Sequence, residues 1–384
     1  MRRTSVLLST AVALAFFTVV ACSVTLARRP ASPLAELPSG KVQLLSAGPL
    51  AFGPDGVLFV GDSIGGAIVA IDTQDTKPAS SAKINVDGVD AKIAALVGVT
   101  PDQIVINDVK VNPISKNVYL SASRGRGPDA MPLIVRVDAS GKITPLSLDN
   151  AKHESVSLVD APNANPSARQ NPRMQTITDM NYVNGNVIVA GLSNEEWASA
   201  LRSIPFPFKG ATAGATLQIW HSSHGRYETE SPVRTFVPYT ISGQQYILAA
   251  YTCTPLVKIP VSQLTPGAKV KGVEIADLGA GNQPLDMVPY KKDGHDYILI
   301  ANSSFGVVKL KADNLEGYPA IESPTVTDVA GVPYDKISSL QGVRFLARLD
   351  DSDALVVTAK PGAGPVYAPG PPAGPVNIQT IALP

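Results

Sequence analysis

The stretch GPLAFGPDGVLFVGDSIGGAIVAID, residues 48–72, contains a short apolar run, a turn, a second apolar run that ends in small polar residues, and a third apolar run. Pro54, Asp55 and Gly56 supply the turn, because these residue types set or tolerate the backbone angles of a tight reversal. Short β-branched runs separated by turn residues predict three consecutive antiparallel strands.

The same unit recurs along the chain, and its six copies begin at Gly48, Ile106, Ile177, Val233, Pro284 and Leu340. Turn dipeptides separate the first two runs of three later copies, namely Asn184-Gly185, Ser242-Gly243 and Asp293-Gly294, and such pairs favour two-residue hairpin loops. Repeated antiparallel units without long intervening helices fit propeller blades. We therefore expect an all-β fold, a β-propeller of six blades, or seven if the interval between the second and third copies contains a weak blade.

The first copy also contains Gly61-Asp62-Ser63-Ile64-Gly65, which matches the G-x-S-x-G pattern of a serine nucleophile. A nucleophile elbow needs a strand, a strained turn and then a helix. Here Ser63 is followed by the β run of residues 66–72. We interpret the segment as a hairpin turn and do not expect Ser63 to be a nucleophile.

The N-terminus has the order of an export signal: Arg2 and Arg3, an apolar segment over residues 6–20, and small residues before Cys22. Lipidation of Cys22, cleavage after Ala27 and retention as an uncleaved anchor are the three alternatives. We expect an exported protein, periplasmic or an outer-envelope lipoprotein, that meets the membrane only through this N-terminal lipid or anchor.

Charge and cysteine content exclude several classes. The chain has 32 Lys plus Arg and 32 Asp plus Glu, so no net field attracts nucleic acid. Without the leader, Cys253 is the one remaining cysteine, so no intramolecular disulfide can form. Cys253 is either a small buried apolar residue or a reactive thiol.

We expect a leader over residues 1–27, a linker over 28–41 and a single propeller domain over 42–384. The C-terminal NIQTIALP alternates apolar and polar residues. It predicts a returning strand that closes the ring against the N-terminal blade, with disorder as the alternative. Short helical insertions are expected near residues 90–98 and 194–203.

In a propeller the first strand of each blade lines the central channel, so residues at equivalent positions meet at one mouth. In chain order these positions hold Pro49, Asp108, Asp179, Arg234, Asp286 and Gly342. Hard oxygen ligands of this kind suit Ca²⁺ or Mg²⁺, with Asn107, Asn282 and Gln283 as neutral helpers. The alternative is that each aspartate bonds backbone amides where its own strand begins.

The predicted helix over residues 194–203 begins with a capping box from Ser193 to Glu196. It could cover the mouth as a lid that offers Trp197, Phe206 or Phe208 to a ligand, or it could pack on the outer rim. His221 and His224 stand three residues apart after the apolar run LQIW. Two histidines can hold a metal, but we interpret this pair as a solvated turn.

Residues 48–72 resemble a blade of the six-bladed NHL and SMP-30/gluconolactonase-like propellers. Lactonases of that family bind a divalent metal partly through the glutamate of a Glu-Gly-Pro segment. This chain has Ala47-Gly48-Pro49 at the corresponding place, so that carboxylate is absent and lactonase chemistry is not implied. The whole chain is similar to exported bacterial propellers, which imply the fold but no activity.

Two hypotheses of function follow. The first is an exported, monomeric propeller that binds a small molecule or an envelope protein at its channel mouth. The second is a Ca²⁺- or Mg²⁺-dependent hydrolase, a lactonase-like enzyme or a quinone-dependent dehydrogenase that holds its ion through the convergent aspartates.

Overall fold

Turn residues and short apolar runs divide the chain into 26 strands in the part that the computed structural model describes, which is residues 32–80, 83–165, 171–210, 212–325, 329–360 and 373–384. The export signal, Cys22 and the cleavage position at Ala27 lie outside the described residues. Within the described residues no helix is long and apolar enough to cross a bilayer.

The first two blades are interleaved in the chain. Blade 1 begins with β1 (Ser39–Gly40), β2 (Leu50–Phe52), β3 (Val57–Asp62) and β4 (Ala67–Asp72). The chain then forms the whole of blade 2 from β5 (Ile104–Val111), β6 (Val118–Arg124), β7 (Met131–Val137) and β8 (Ile143–Pro145). It returns to blade 1 with β9 (Ala151–Ser157), which pairs with both β4 and β1.

Blades 3 and 4 share one sheet, because their outer strands β13 and β18 pair in parallel. Blade 3 consists of β10 (Asp179–Val183), β11 (Asn186–Leu192), β12 (Ser199–Pro205) and β13 (Ala215–His221), with β14 (Arg226–Glu228) added to β13. Blade 4 consists of β15 (Thr235–Ile241), β16 (Gln244–Ala250), β17 (Pro255–Pro260) and β18 (Lys269–Asp277).

Blades 5 and 6 complete the fold. Blade 5 contains β19 (Pro284–Lys292), β20 (His295–Asn302) and β21 (Gly306–Lys311); after β22 (Ala330–Gly331), which pairs with β18, it ends with β23 (Tyr334–Ile337). Blade 6 contains β24 (Val343–Arg348), β25 (Asp353–Ala359) and β26 (Val376–Ala382). The α-helix of the described chain is α1 (Val89–Val97), and its short 3-10 turns are Pro33–Glu36, Pro54–Gly56, Pro101–Gln103, Gly127–Asp129, Pro172–Gln175, Val261–Gln263 and Leu315–Gly317.

The innermost strands close a six-membered ring. Each contacts two others in the order β5, β2, β10, β15, β19, β24 and back to β5. Six apolar clusters lie between neighbouring blades, and each draws its buried residues from the two blades that it joins. The predicted all-β propeller with six blades is therefore confirmed. Around the ring, blade 1 lies between blades 2 and 3, so the spatial order of the first two blades differs from their chain order.

Three sequence expectations need correction. The helix expected over residues 194–203 is wrong, because residues 194–197 form bends and β12 begins at Ser199, where it pairs with Leu192 of β11. The helix expected near residues 90–98 is present as α1. Part of the expected linker is folded, since Leu34 and Leu37 are buried in the cluster between blades 1 and 3.

The C-terminal strand is the third difference. β26 pairs with β25 of the last blade and not with the N-terminal blade. Its free edge instead meets Val86, which bridges to Ile378 just before α1. Val376 and Ile378 of β26 are buried between blades 6 and 2, which are neighbours in the ring.

Candidate functional site

One cavity of about 1250 Å³ opens where the innermost strands begin. All six blades contribute to its lining with a residue in or just before the first half of the inner strand: Pro49, Asn107, Thr178, Arg234, Leu285 and Arg344. This is the channel mouth that the repeat pattern predicts. A second cavity of about 830 Å³ is lined by residues from the other ends of several inner strands, including Arg348 of β24.

β-Bulges turn three of these side chains toward the mouth. The pairing of the first two strands shifts register around Asn107, Leu285 and Arg344. An extra residue in one strand is left out of the ladder and bends it, which re-aims its side chain. The bulges therefore place Asn107 and Arg344 in the lining of the cavity.

Arg234 and Arg344 give the mouth its charge. Both are partly buried, and burial lowers the pKa of each guanidinium below its usual value. Arg234 Nε donates to Thr252 Oγ1 at 2.9 Å. Neither arginine forms an ion pair with a carboxylate of the described residues. Two cationic groups thus face the cavity with part of their hydration removed and without a negative partner.

Two further arginines lie in the same lining. Arg173 Nε donates to the carbonyl of Ile64 at 3.0 Å and its Nη1 to the carbonyl of Pro162 at 3.2 Å. Arg126 is exposed, and its Nε donates to the carbonyl of Asp102 at 2.7 Å. The described lining contains four arginines and no aspartate or glutamate. The residues of the described lining therefore carry a net positive charge.

The rest of the lining combines amide side chains with apolar ones. Asn107, Gln175 and Gln283 provide hydrogen-bonding groups. Leu45 and Met174 are 61% and 51% exposed at the rim. Further apolar contact surface comes from Ile64, Ile177, Leu285 and Phe345. The cavity therefore offers apolar surface close to its cationic groups.

The three predicted aspartates stand on alternate inner strands, and each bonds its own blade to one neighbour: blade 2 to blade 1, blade 3 to blade 4, and blade 5 to blade 6. Each accepts the N–H of its own following residue and the N–H of a residue on the neighbouring inner strand. The inter-blade bonds are Leu50 N to Asp108 Oδ2 at 2.7 Å, Phe236 N to Asp179 Oδ2 at 2.8 Å, and Leu346 N to Asp286 Oδ2 at 2.9 Å. This is the backbone role given above as the alternative to a metal site.

Lys110 supplies the cation among these carboxylates. Its Nζ lies 3.2 Å from Asp108 Oδ1. Burial alone lowers the pKa of Lys110, but the charges of Asp108, Asp286 and Asp179 outweigh burial and raise it above its usual value. Burial raises the pKa of Asp179 to about 6 and that of Asp286 to about 7, and Lys110 opposes both shifts. The three aspartates therefore interact around the channel axis, as the repeats predict.

The aspartates do not belong to the lining of the 1250 Å³ cavity. Their oxygens accept backbone N–H groups, and the Lys110 ammonium stands where a bound cation would compensate their charge. The Ca²⁺ or Mg²⁺ site stays a prediction that this arrangement does not favour.

Two of the aligned positions were assigned in the wrong register. Asp179 pairs with Ala190 of β11, and Asp286 pairs with Ala301 of β20. The equivalent position on β16 is Ala250, and it pairs with Thr235 and not with Arg234. In blade 6 the corresponding residue is Phe345 and not Gly342. The bulge at Arg344 hides this register in the sequence. Arg234 nevertheless reaches the mouth because it precedes β15.

Asn282 is fully buried, and its side chain forms hydrogen bonds with residues around the turn that follows β20. Its Oδ1 accepts from the N–H and Oγ of Ser304, and its Nδ2 donates to Asn302. It is not part of the cavity lining, whereas its neighbour Gln283 is.

The residues of the predicted lid lie away from the mouth. Phe206 packs edge-on against Phe59 at 4.9 Å between ring centroids, and Phe208 contacts both rings. Trp197 lies under the Lys269 ammonium at 5.0 Å. None of the three lines the cavity, because β12 runs along the outer part of blade 3. Their position fits the rim alternative.

Of the remaining candidate residues, Ser63 and Cys253 lie in turns between strands, whereas His221 is buried. Ser63 lies in the turn between β3 and β4, as predicted, and its Oγ donates to the carbonyl of Ile177 at 3.2 Å. Cys253 has a left-handed φ of 65° in the turn between β16 and β17. His221 is only 2% exposed and does not lie in a solvated turn.

Sequence reasoning missed Lys110 and Arg344. Lys110 follows Asp108 by two residues on a strand, so both side chains point to the same side; that spacing was a usable signal. Arg344 carries no such signal, because a bulge is visible only once the two strands are paired.

Comparison with known proteins finds similar solved structures at low identity. No family model and no curated protein sequence matches this chain. A Thermus thermophilus protein described as an oxidoreductase of the glucose dehydrogenase type is similar over 90% of this chain and 100% of its own, with 11% identity and a TM-score of 0.36. The PQQ-bound aldose sugar dehydrogenase of Streptomyces coelicolor is similar over 89% and 98%, with 10% identity and a TM-score of 0.35. A streptogramin B lyase covers 90% and 97%, with 8% identity and a TM-score of 0.31.

The function of this chain is argued from its own site. The finer resemblance to NHL and SMP-30-like propellers stays a prediction.

Proposed function

We propose that this propeller binds a small organic anion at its channel mouth, with Arg234 and Arg344 as the principal ligand-binding residues. The observation that carries the proposal is the pair of partly buried guanidinium groups, unpaired with any described carboxylate, in a lining without acidic residues. Burying a cation is unfavourable unless it is paired. A bound anion would remove that cost.

The donor chemistry selects carboxylate or phosphate groups. A guanidinium presents N–H donors in a planar fork that matches two oxygens of one anion. Gln283, directly before β19, adds a neutral amide to the same lining, whereas Asn107 Nδ2 already donates to Ala47 O and Ser123 Oγ. Arg344 lies on β24, and Arg234 and Gln283 directly precede β15 and β19, so paired strands hold their backbones in place and lower the entropy lost on binding.

The apolar lining supports an anion with an apolar body over a simple inorganic ion. Ile64, Ile177 and Phe345 lie in the same cavity as the arginines, and Leu45 and Met174 remain exposed at its rim. Burying such side chains contributes about 25 cal/mol per Å² of apolar surface. We favour a small molecule over an envelope protein as the occupant, because the cavity is concave and of small-molecule size. Export is part of the proposal and rests on the leader pattern of residues 1–27.

Thermal unfolding in the presence of benzoate tests this proposal. Benzyl alcohol is the uncharged control of similar shape, and inorganic phosphate is an anion that has no apolar part. We expect benzoate to raise Tm in a saturable way and benzyl alcohol to have no such effect. Phosphate should compete with benzoate but bind more weakly, because it makes no apolar contact.

Arg234→Gln and Arg344→Gln should each weaken benzoate binding about 10- to 100-fold, the range for a lost hydrogen bond to a charged group. Arg348→Gln is the matched control, because Arg348 lies on the same strand as Arg344 but at the other end of the channel and pairs with Asp351. The proposal fails if no anion shifts Tm, or if the Arg348 variant loses as much affinity as the two mouth variants.

A further inference from the structure

The hairpin of β13 and β14, on the outer part of blade 3, brings two histidines and a glutamate together. His221 Nδ1 lies 2.9 Å from Glu228 Oε2, and His224 Nδ1 lies 2.7 Å from Glu228 Oε1. The two imidazole centroids are 3.8 Å apart. One donor atom from each of the three residues falls within 4.8 Å of the others. This is the spacing of atoms that could share one ion.

Two of these side chains are buried and the third reaches solvent. His221 and Glu228 are 2% and 4% exposed, whereas the side chain of His224 is 39% exposed. His221 Nε2 and Ser223 Oγ are buried without a partner among the described residues. Buried polar atoms are nearly always partnered, so the hairpin has polar groups that the protein itself leaves unsatisfied. The exposed side of His224 gives an ion a way in.

Two further buried carboxyl groups lie beside the hairpin. Glu274 and Asp277 are 1% and 0% exposed, and Ser222 Oγ bridges them at 2.8 and 3.0 Å. Burial raises the pKa of Glu274 to about 8, and the charges of Asp277 and Glu228 act in the same direction. Three buried carboxylates therefore meet at one end of the blade.

Arg226 is the cation that contacts this group. Its Nε lies 3.0 Å from Glu228 Oε1, and its side chain is 64% exposed. Its Nη2 also lies 3.7 Å from Glu230 Oε1. Arg226 therefore has a second carboxylate to pair with if Glu228 takes another partner.

We propose that His221, His224 and Glu228 bind one Zn²⁺ ion. Two imidazole nitrogens and a carboxylate oxygen form a donor set that Zn²⁺ takes, and three protein ligands leave a fourth position for water. The ion replaces the protons that now join the imidazoles to Glu228, and Arg226 turns to Glu230.

This site is independent of the anion site. None of its residues lines the 1250 Å³ cavity, and its ligands come from one hairpin whose register pairs His221 with Arg226 and Ile219 with Glu228. Zn²⁺ binding here should therefore tie β14 to β13 and stabilise the outer edge of blade 3.

Titration of the full chain with ZnCl₂ after dialysis against a chelator tests the proposal. Calorimetry should give one ion per chain. Tm should rise by about 3–4 °C at a free Zn²⁺ concentration about 100-fold above Kd, since a ligand that binds the folded state stabilises it by mass action. Co²⁺ in place of Zn²⁺ should give visible absorption bands of a low-coordinate nitrogen and oxygen site.

His224→Ala is the main variant, because His224 is partly exposed and its loss leaves the core intact. We expect it to weaken Zn²⁺ binding more than about 10-fold and to remove the Tm rise. A folded His221→Asn variant should show the same loss of Zn²⁺ affinity and of the Tm rise. His295→Ala is the matched control, because His295 forms an exposed pair with Asp313 at 2.9 Å, and it should bind Zn²⁺ as the wild type does. An unchanged wild-type Tm at saturating Zn²⁺, or an undiminished rise in the His224 variant, would overturn the assignment.

Discussion

At the residue scale, Lys110 accounts for the charge at the centre of the molecule. Asp108, Asp179 and Asp286 are each 6–7% exposed, and their oxygens hold the N–H groups of neighbouring inner strands. Three carboxylates so close together repel one another in a medium of low dielectric. One ammonium 3.2 Å from Asp108 reduces that repulsion. The cluster therefore joins the blades at the axis and ties stability to pH.

The sign of that pH dependence follows from the raised pKa values of Asp179, about 6, and Asp286, about 7. An acid with a raised pKa in the fold binds more protons there than in the unfolded chain. Its contribution to stability is thus present below its unfolded pKa of about 4 and is lost as pH rises through the folded pKa. We expect the contribution of these two groups to decrease between about pH 4 and pH 7.

Lys110→Met should make this loss larger, because it leaves buried carboxylates without their cation. We expect its free energy of unfolding to fall by about 3–5 kcal/mol at pH 8, as for a broken buried pair, and by less at pH 5, where the acids are protonated. Chemical denaturation at both pH values measures the difference. Lys291→Met, at a 75% exposed pair with Asp296, is the control and should change stability by less than about 1 kcal/mol. An equal loss for Lys110→Met at both pH values would contradict this account.

At the element scale, tight turns fix which strands pair. Asn184-Gly185, Ser242-Gly243 and Asp293-Gly294 all have positive φ at both residues, between 47° and 85°. Each joins two strands whose last pair flanks the two-residue loop, as Val183 flanks one with Asn186. Positive φ at both positions matches the twist of the paired strands. The turn residues that the sequence displays thus determine the hairpins of blades 3, 4 and 5.

Gly185→Ala should destabilise the protein through the backbone alone. Gly185 has a φ of 85°, and an added Cβ would meet nothing within 4 Å, so any cost comes from the left-handed conformation. We expect a loss of about 1 kcal/mol, measured by chemical denaturation. Gly374→Ala is the control, because a Cβ there also meets nothing and no positive φ is involved. Equal losses in the two variants would show that the turn conformation is not the cause.

At the scale of the whole molecule, the ring closes through segments that are distant in sequence. Blade 2 is formed between β4 and β9 of blade 1, and blade 6 packs against blade 2. Residues 84–86 meet the edge of β26, where Ile84 N donates to Thr380 Oγ1 at 2.8 Å and Val86 bridges to Ile378. The last strand therefore fastens the end of the chain to a segment from its first third.

Deletion of residues 376–384 should open the ring. It removes β26, exposes the edge of β25 and uncovers the apolar cluster between blades 6 and 2. An unpaired edge invites association with other chains, so we expect oligomers in size-exclusion chromatography and loss of the cooperative thermal transition. Thr380→Val is the control, which removes the two hydrogen bonds of Thr380 Oγ1 with the N–H and the carbonyl of Ile84 and should lower stability by about 1–2 kcal/mol while the protein stays monomeric. A monomeric deletion variant with the wild-type Tm would contradict this role of β26.

Part of the candidate site was predictable. The repeat placed Asp108, Asp179 and Asp286 around one axis, because equal positions in repeated blades meet there. It did not separate the aspartates, which bond the blades together, from Arg234 and Arg344, which line the mouth. That separation depends on a shift of one residue along a strand, and bulges produce such shifts without a mark in the sequence.

The sequence by itself determined the all-β repeat and the hairpins of blades 3, 4 and 5, and it indicated six or seven blades, because alternating apolar runs and turn residues act over a few neighbouring positions. Only the tertiary structure decided the order of blades 1 and 2 around the ring, the partner of β26, the meeting of Lys110 with three carboxylates, and the meeting of His221 with Glu228. The physical reason is that packing between blades and the pairing of buried charges depend on groups brought together from distant positions, where no local pattern of residue types records the contact.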